Sequence, residues 1–579
     1  MRLRRRHAAS SVRDLIASWG RTLTSPNEDP SSVLTHNDLI IYLGSFVFFL
    51  LQPFGGFDSI IGDNIAQVGY WRILFHRHLV GSLGSTVLKP GLVLVLGFTH
   101  DISIVLFHST VLIKVVIAVF AALLTWVVAR IASEVGGVAG GLAAAAYLVA
   151  RTPLLEMVRA GTSPVFFLPL LIIGIWLFSH QRQKLGAVFL CLAALMRLEG
   201  ICVLAWLVVF EQVPKRRWKQ TALSTVCAVL TMALFVALSL LIQGSFARLS
   251  PGNQTGYLYP EVGPTATIRF IKSLAFTIRS CASLALRECQ FPCLAVPAIV
   301  GLLLHRARRI YLSVGGIVLF MLVYATLGTG PLRSRYFEFV LPGIAAFGTA
   351  GLLCAYRLTE TSVRGFGGIQ RAAWISLLVA SAVFLVRGPE AAFISLALLL
   401  CALGAGFLEN GVFGPQSSLP ALFPLVLSVA IVGSSLFHLK SSFGATLPSL
   451  EPYTLDADDF LRTRPIPRGA SALIEDDMIY GIVIREPDYL NKVVALQYFN
   501  IQNDLQRAGA LRETDYVLVS KRAYSYYYLS YDPLQRGDRD PFRKAIHDLL
   551  SGGPRCTLYG RHLTTLENSP SWLVLKVHD

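Results

Sequence analysis

Residues 55–92 read GGFDSIIGDNIAQVGYWRILFHRHLVGSLGSTVLKPGL, between one apolar run and the next. A turn joining two membrane helices needs only a few polar residues. This segment instead carries Asp58, Asp63, Arg72, His76, Arg77, His78 and Lys89, with Tyr70, Trp71 and Phe75 among them. Ile65, Val68, Trp71, Arg72, Phe75 and Leu79 recur at helical spacing, which predicts a helix over 64–79 lying on a membrane surface. Asp63 falls at its start, where a carboxylate suits the exposed amides. Two readings of Asp63 stand side by side: a helix cap, which local sequence favours, and a catalytic base.

Composition sets the surroundings of that loop. Hydrophobic residues make up 54% of the 579 and charged residues 15%, with a mean hydropathy of +0.57. A soluble chain carries about 25% charged residues, so this is a polytopic membrane protein. The net charge of +16 is spread as short basic clusters between apolar spans, the pattern of loops facing anionic lipid rather than nucleic acid. The nine cysteines lie mostly within apolar spans as small hydrophobes. Cys281, Cys289 and Cys293 leave room for an outside disulfide, and no spacing argues for a metal site or a resident cofactor. The basic start, MRLRRRHAAS, is not followed by a cleavage site.

Residues 1–38 hold six arginines and belong in the cytoplasm by the positive-inside rule. The expected spans are then about 39–54, 102–129, 136–150 and the stretch ending at SHQRQK, with 91–99 a half-inserted piece too short to cross. Residues 151–164 form a second outside loop carrying Arg151, Glu156 and Arg159. SHQRQK (179–184) and PKRRWK (214–219) are both basic, and between them two apolar arms of 10–12 residues flank Arg197-Leu198-Glu199-Gly200. Each arm would rise roughly 15–18 Å against a core of about 30 Å. A hairpin keeps both basic clusters inside and puts Arg197 and Glu199 at its tip, either as functional groups or as an ion pair bracing the turn.

Further spans follow at about 220–243, before and after HRARR, and at about 336–356, 372–387, 390–408 and 420–438. The total is about 13 crossings with opposite-facing ends. Between them, Ile268, Ile271, Leu274 and Ile278 share a face with Arg269, Lys272 and Arg279 alongside, an interfacial helix. GTGPLRSRYFEF (328–339) makes another outside turn, bearing Arg333, Arg335 and Tyr336. The organisation expected is a cytoplasmic segment 1–38, a transmembrane region 39–440 with its first outside loop at 55–101, and a small soluble α/β domain at 441–579. In that last part SALIE, DYVLVSK and SWLVLKV read as strands and FRKAIHDLLS as a helix.

Asp58, Asp63, Lys89, Arg151, Glu156, Arg159, Arg197, Glu199, Arg333 and Arg335 come from four separated segments yet share one side of the membrane in this topology. A pocket of one or two carboxylates and several cations there suits one chemistry. The cations would hold a lipid-linked phosphate as leaving group. A carboxylate would accept a proton from a hydroxyl.

Four short motifs in order carry a resemblance. Asp63-Asn64 opens the surface helix, Lys89-Pro90-Gly91-Leu92 follows, then Met196-Arg197-Leu198-Glu199-Gly200, then Arg335-Tyr336 with Pro342 beyond. Together they resemble the GT-C class of integral-membrane glycosyltransferases, which includes protein O-mannosyltransferases, the aminoarabinose transferase acting on lipid A, and arabinofuranosyltransferases. The resemblance implies a GT-C-like fold over about 1–440 and a polyprenyl-phosphate sugar as donor. It also implies a glycan, lipid or protein hydroxyl as acceptor and inversion at the anomeric centre. Carried onto this sequence it makes Asp63 the general base and Lys89 a ligand of the donor phosphate, with Asp58, Glu156, Arg159, Arg197, Glu199, Arg333, Arg335 and Tyr336 around the substrate. Asn64, Gly91 and Ser163-Pro164 depart from the class pattern. Two other readings compete: a polytopic transporter or lipid flippase, which expects polar residues near mid-bilayer on several helices, and a non-catalytic scaffold for the last domain.

Overall fold

The computed structural model describes residues 36–52, 68, 71, 89–108, 111–159, 161–243, 266–283, 298, 301–303, 305, 307–326, 339–351, 459–474, 482, 486, 489–495, 508–509, 511–520, 549, 555–570 and 572–578. The N-terminal basic segment, Asp58, Asp63, most of the surface helix, Arg333, Arg335, Tyr336, the spans expected beyond 351 and the tyrosine-rich run at 524–528 lie outside them.

The helices are α1 (His36–Leu51), α2 (Pro90–Phe107), α3 (Val111–Val149), α4 (Thr152–Arg159), α5 (Ser163–Ser179), α6 (Gln183–Met196), α7 (Glu199–Leu207), α8 (Trp218–Gln243), α9 (Ala266–Ser283), α10 (Arg308–Tyr311), α11 (Gly315–Thr326) and α12 (Val340–Gly343). α7 and α12 each run on into a widened π turn, Val208–Gln212 and Ile344–Gly348. Among the described residues three helices are long and apolar enough to cross a membrane, and α4 with α5, bent by 117°, could count as a fourth. The surfaces are inverted as a bilayer demands. On α1, Leu39, Ile40, Leu43, Val47 and Leu51 face outward while Asp38, Ser45 and Gln52 are buried. On α8, Val226, Val229 and Leu230 are exposed and Ser224 and Thr231 are not, since polar groups in lipid need protein partners.

Two reversals organise the bundle. α3 is hydrogen-bonded almost throughout, but Gly137 sits at φ 69° and ψ −170°, a conformation that glycine alone tolerates easily. The chain doubles back there: a Cβ on Gly141 would lie 2.9 Å from the Ala129 carbonyl oxygen, whereas twelve residues of straight helix would separate them by about 18 Å. The two arms of α3, on either side of Gly137, therefore form one hairpin; the expected span 136–150 matches its second arm, and of the expected span 102–129 only the part from Val111 belongs to its first. The second reversal is the one expected between the basic clusters. α6 ends at Arg197, α7 begins at Glu199, and a Cβ on Gly200 would meet the Ala194 nitrogen at 2.6 Å. At the far ends of the arms the Gln212 amide donates to Gln183 Oε1 at 3.3 Å, and Arg217 Nη1 donates to Gln181 Oε1 at 2.7 Å. SHQRQK and PKRRWK thus lie side by side.

One expectation is corrected. The apolar piece at 91–99 does not stop there: α2 is one helix of 18 residues, and the next begins at Val111 after His108 adopts a left-handed conformation (φ 48°). His100 and Asp101 looked like a boundary in sequence. They are accommodated within the helix because Trp71 Nε1 donates to Asp101 Oδ2 at 2.7 Å and His100 Nδ1 lies 3.4 Å from Oδ1.

The C-terminal part contains a six-stranded sheet, β1 (Ala470–Ile474), β2 (Leu490–Ala495), β3 (Tyr516–Ser520), β4 (Arg555–Leu558), β5 (Arg561–Asn568) and β6 (Trp572–His578), in the order β2-β1-β3-β6-β5-β4. β1 pairs in parallel with β2 and β3, and the remaining pairs are antiparallel. The runs read as strands from sequence are β1, β3 and β6, three of the four inner strands. Val517, Val519, Leu573 and Leu575 are buried on one face and Leu518, Trp572 and Val574 on the other, which is why those runs are continuously apolar rather than alternating.

Candidate functional site

The ends of the bundle differ in chemistry. At the end of the basic clusters, here termed inner, buried Asp38 and Arg130 pair at 3.1 Å. Beside them the Glu134 carboxylate receives Trp176 Nε1 on Oε1 at 2.7 Å, with His180 Nε2 3.2 Å from the same oxygen and His305 Nε2 2.9 Å from Oε2. His305 Nδ1 accepts the Ala307 N–H at 3.1 Å, so its other nitrogen can donate to Glu134 while the ring is neutral. His180 differs, since its Nδ1 lies 3.0 Å from the Trp176 carbonyl, and donors on both nitrogens make an imidazolium. Burial alone would lower its pKa. The Glu134 hydrogen bond and charge, helped by that carbonyl and opposed by Arg130, outweigh burial and hold His180 above its ordinary value.

The other end, here termed outer, holds Lys89, Glu156, Arg159, Arg197 and Glu199, described residues singled out from sequence. Lys89 stands immediately before α2, and its Nζ donates to Ser163 Oγ, at the first residue of α5, at 3.4 Å. Gly91 puts it there. A Cβ on Gly91 would lie 2.9 Å from Met196 Sδ and 3.0 Å from the Leu195 carbonyl carbon, so α2 packs directly on the last turn of α6. Any side chain there would force the two helices apart. Arg197, the residue after that turn, holds Glu199 Oε1 through Nη2 at 2.6 Å and Nε at 3.1 Å. Its guanidinium lies over the Phe167 ring, 5.5 Å from the centroid. The charge of Lys89 acts on Glu199, so the three motif residues are electrostatic neighbours.

Arg159 joins from α4. It is buried, and its Nη2 donates to Gln52 Oε1, at the end of α1, at 3.3 Å. Three residues later in the chain Thr162 precedes α5 with no side-chain cap. Glu156 is exposed on the same short helix, and its charge acts on Arg159. Arg151 turns away into a buried place of its own: Nε donates to the Tyr147 carbonyl at 3.2 Å and the guanidinium stacks on the Tyr147 ring.

Lys89, Arg197 and Glu199 thus meet from two segments at the first turns of α5, which Arg159 on α4 precedes by four residues, and the amide dipoles of α5 point positive charge outward there. The hairpin arm α6, 14 residues long, rises about 21 Å, less than the core of about 30 Å. Its charged tip is therefore recessed toward the lipid. Such a place can bind an anionic head group whose tail stays in the bilayer. Reading the sequence missed Gln52, Ser163 and Phe167. The one signal available was for Gln52, a polar side chain ending the first apolar run.

No protein-family model matches the sequence, and no curated protein matches it. Solved structures are similar in shape. ArnT from Cupriavidus metallidurans in its apo state aligns at a TM-score of 0.44 and 12% identity over 93% of this chain and 96% of its own. The same protein bound to undecaprenyl phosphate aligns at 0.46 and 12%, over 93% and 97%. The arabinofuranosyltransferase AftD from Mycobacteria aligns at 0.40 and 14% over 95% of this chain, which spans 40% of AftD. These are proteins of the class that the four motifs resemble.

Proposed function

We propose that the chain is a GT-C-like membrane glycosyltransferase that moves a sugar from a polyprenyl-phosphate donor to the hydroxyl of an extracytoplasmic glycan, lipid or protein. The observation carrying this is the meeting of Lys89 and Arg197, with Glu199, at the start of α5, which Arg159 precedes by four residues. In the reaction the acceptor oxygen attacks the anomeric carbon from the face opposite the leaving group. The bond from that carbon to the phosphate oxygen breaks, and the proton of the hydroxyl passes to the Asp63 carboxylate. Lys89 and Arg197, with Arg159, Arg333 and Arg335, stabilise the polyprenyl phosphate as charge gathers on it. Glu199 orients Arg197, while Asp58, Glu156 and Tyr336 face the sugars. The protein sits in the cell membrane with residues 1–38 cytoplasmic and 441–579 outside.

A carrier or flippase would need ionisable groups near mid-depth on several helices; α2 carries the bonded His100 and Asp101, while residues 165–177 of α5, VFFLPLLIIGIWL, carry none. The deciding experiment gives purified protein a labelled polyprenyl-phosphate sugar. Asp63→Asn should lose about 10²-fold or more in transfer, with Asp58→Asn well above it. Wild-type rate in Asp63→Asn removes Asp63 from the mechanism.

A further inference from the structure

Gln52 ends α1 with its side-chain oxygen on Arg159 and its amide nitrogen buried without a hydrogen-bond partner. The residue is 1% exposed. Buried amides nearly always spend their hydrogens, and leaving them unspent is costly. The neutral amide also leaves its pair with Arg159 positive, where a carboxylate would have cancelled the charge. Thr162, in the turn between Arg159 and Ser163, likewise has a buried hydroxyl oxygen with no partner. Leu51, one residue back, is 73% exposed on the apolar side of α1. The unspent Gln52 amide therefore follows by one residue the exposed apolar face of α1.

We infer that Gln52 is a head-group-binding residue: its amide N–H groups, beside the Arg159 guanidinium, donate to an oxygen of the lipid-linked phosphate. This rests on the polyprenyl-phosphate reading above. Both donors act in a place of low dielectric, where bonds to an anion are strong, and the lipid would satisfy what the empty protein leaves open.

The test measures binding of undecaprenyl phosphate and of uncharged undecaprenol to the full-length protein in detergent. Gln52→Leu, close in volume but without donors, should weaken the phosphate lipid about tenfold or more, as loss of a hydrogen bond to a charged group does. It should leave undecaprenol unchanged, and Gln52→Glu should weaken the phosphate further. Gln52→Met serves if the leucine variant does not fold. Phosphate affinity within twofold of wild type in the leucine or methionine variant overturns the assignment, and so does an equal loss for both lipids. If Lys89→Ala weakens phosphate binding while Gln52→Leu does not, only this inference fails. If wild type does not prefer the phosphate over undecaprenol, the donor reading falls and takes this one with it.

Discussion

The ion pair at the hairpin tip gives a quantitative test of the outer cluster. Arg197 and Glu199 share two hydrogen bonds, and their side chains are 12% and 11% exposed. With charge centres roughly 4 Å apart, an effective dielectric near 20 gives an attraction of about 4 kcal/mol. The pair is too well covered to be worth the ~0–1 kcal/mol of a surface bridge. It is not sealed enough to reach the ~3–5 kcal/mol lost when a fully buried pair is broken, so a coupling of about 2–3 kcal/mol is expected. Lys89 breaks the symmetry. Glu199→Gln leaves Arg197 beside another cation, whereas Arg197→Gln leaves Glu199 with Lys89 still attracting it. Glu199→Gln should therefore cost about 3 kcal/mol and Arg197→Gln about 1 kcal/mol less. The double variant should be less damaged than the sum by the coupling. Equilibrium unfolding of the full chain in mixed detergent and SDS micelles, followed by tryptophan fluorescence, measures all three. Additivity within about 0.5 kcal/mol, or Arg197→Gln as the more damaging single change, would refute the arrangement.

The hairpin itself is checked by sidedness. In a cysteine-free background an impermeant maleimide should reach Gln181→Cys and Arg217→Cys from one side of the membrane and Leu198→Cys from the other, while a single crossing would separate the first two. Gly91→Leu drives a side chain into Met196 and the backbone of Leu195; it should cost about 1–3 kcal/mol in stability and raise KM for the donor more than it lowers kcat, with Met196→Ala partly restoring both. An unchanged KM would mean Lys89 does not depend on that contact. The inner cluster predicts a pH effect. Because His180 is held above its ordinary value, its contribution is complete below the unfolded pKa of about 6.5 and is lost as pH rises through the higher folded one. Apparent Tm should therefore fall from pH 6 toward alkaline values, and Glu134→Gln should flatten that slope; a Tm that rises over this range contradicts the assignment.

How far the sequence led depended on what kind of force holds each part. The hairpin at 185–212 was legible because charge and length are written locally: two basic clusters and two short arms permit little else. Three of the inner strands, β1, β3 and β6, were legible for a similar reason, being unbroken apolar runs between polar turns. α2 was misjudged because Asp101 looks like a boundary until Trp71, thirty residues earlier, is seen to bond it. Pairings of that separation leave no local trace. The same holds for Gln52 with Arg159, 107 residues apart. Gly91 was noticed only as a departure from the class pattern. Its reason, the last turn of α6 lying against it, is a fact of packing.

The two ends of α5 also argue which of them does chemistry. At the inner end both oxygens of Glu134 are engaged, by Trp176 and His180 on one and by His305 on the other, and Tyr311 closes the group with its hydroxyl 3.4 Å from Ser179 Oγ. With both Glu134 oxygens engaged, the group fixes three parts of the chain against one another. At the outer end the same helix begins beside Lys89, Arg159 and Arg197, with the Gln52 amide and the Thr162 hydroxyl unspent. Burying polar groups without partners opposes folding, and on the reading proposed above a bound anion would offset that cost at Gln52 and Thr162 while the Glu134 group braces the other end of α5.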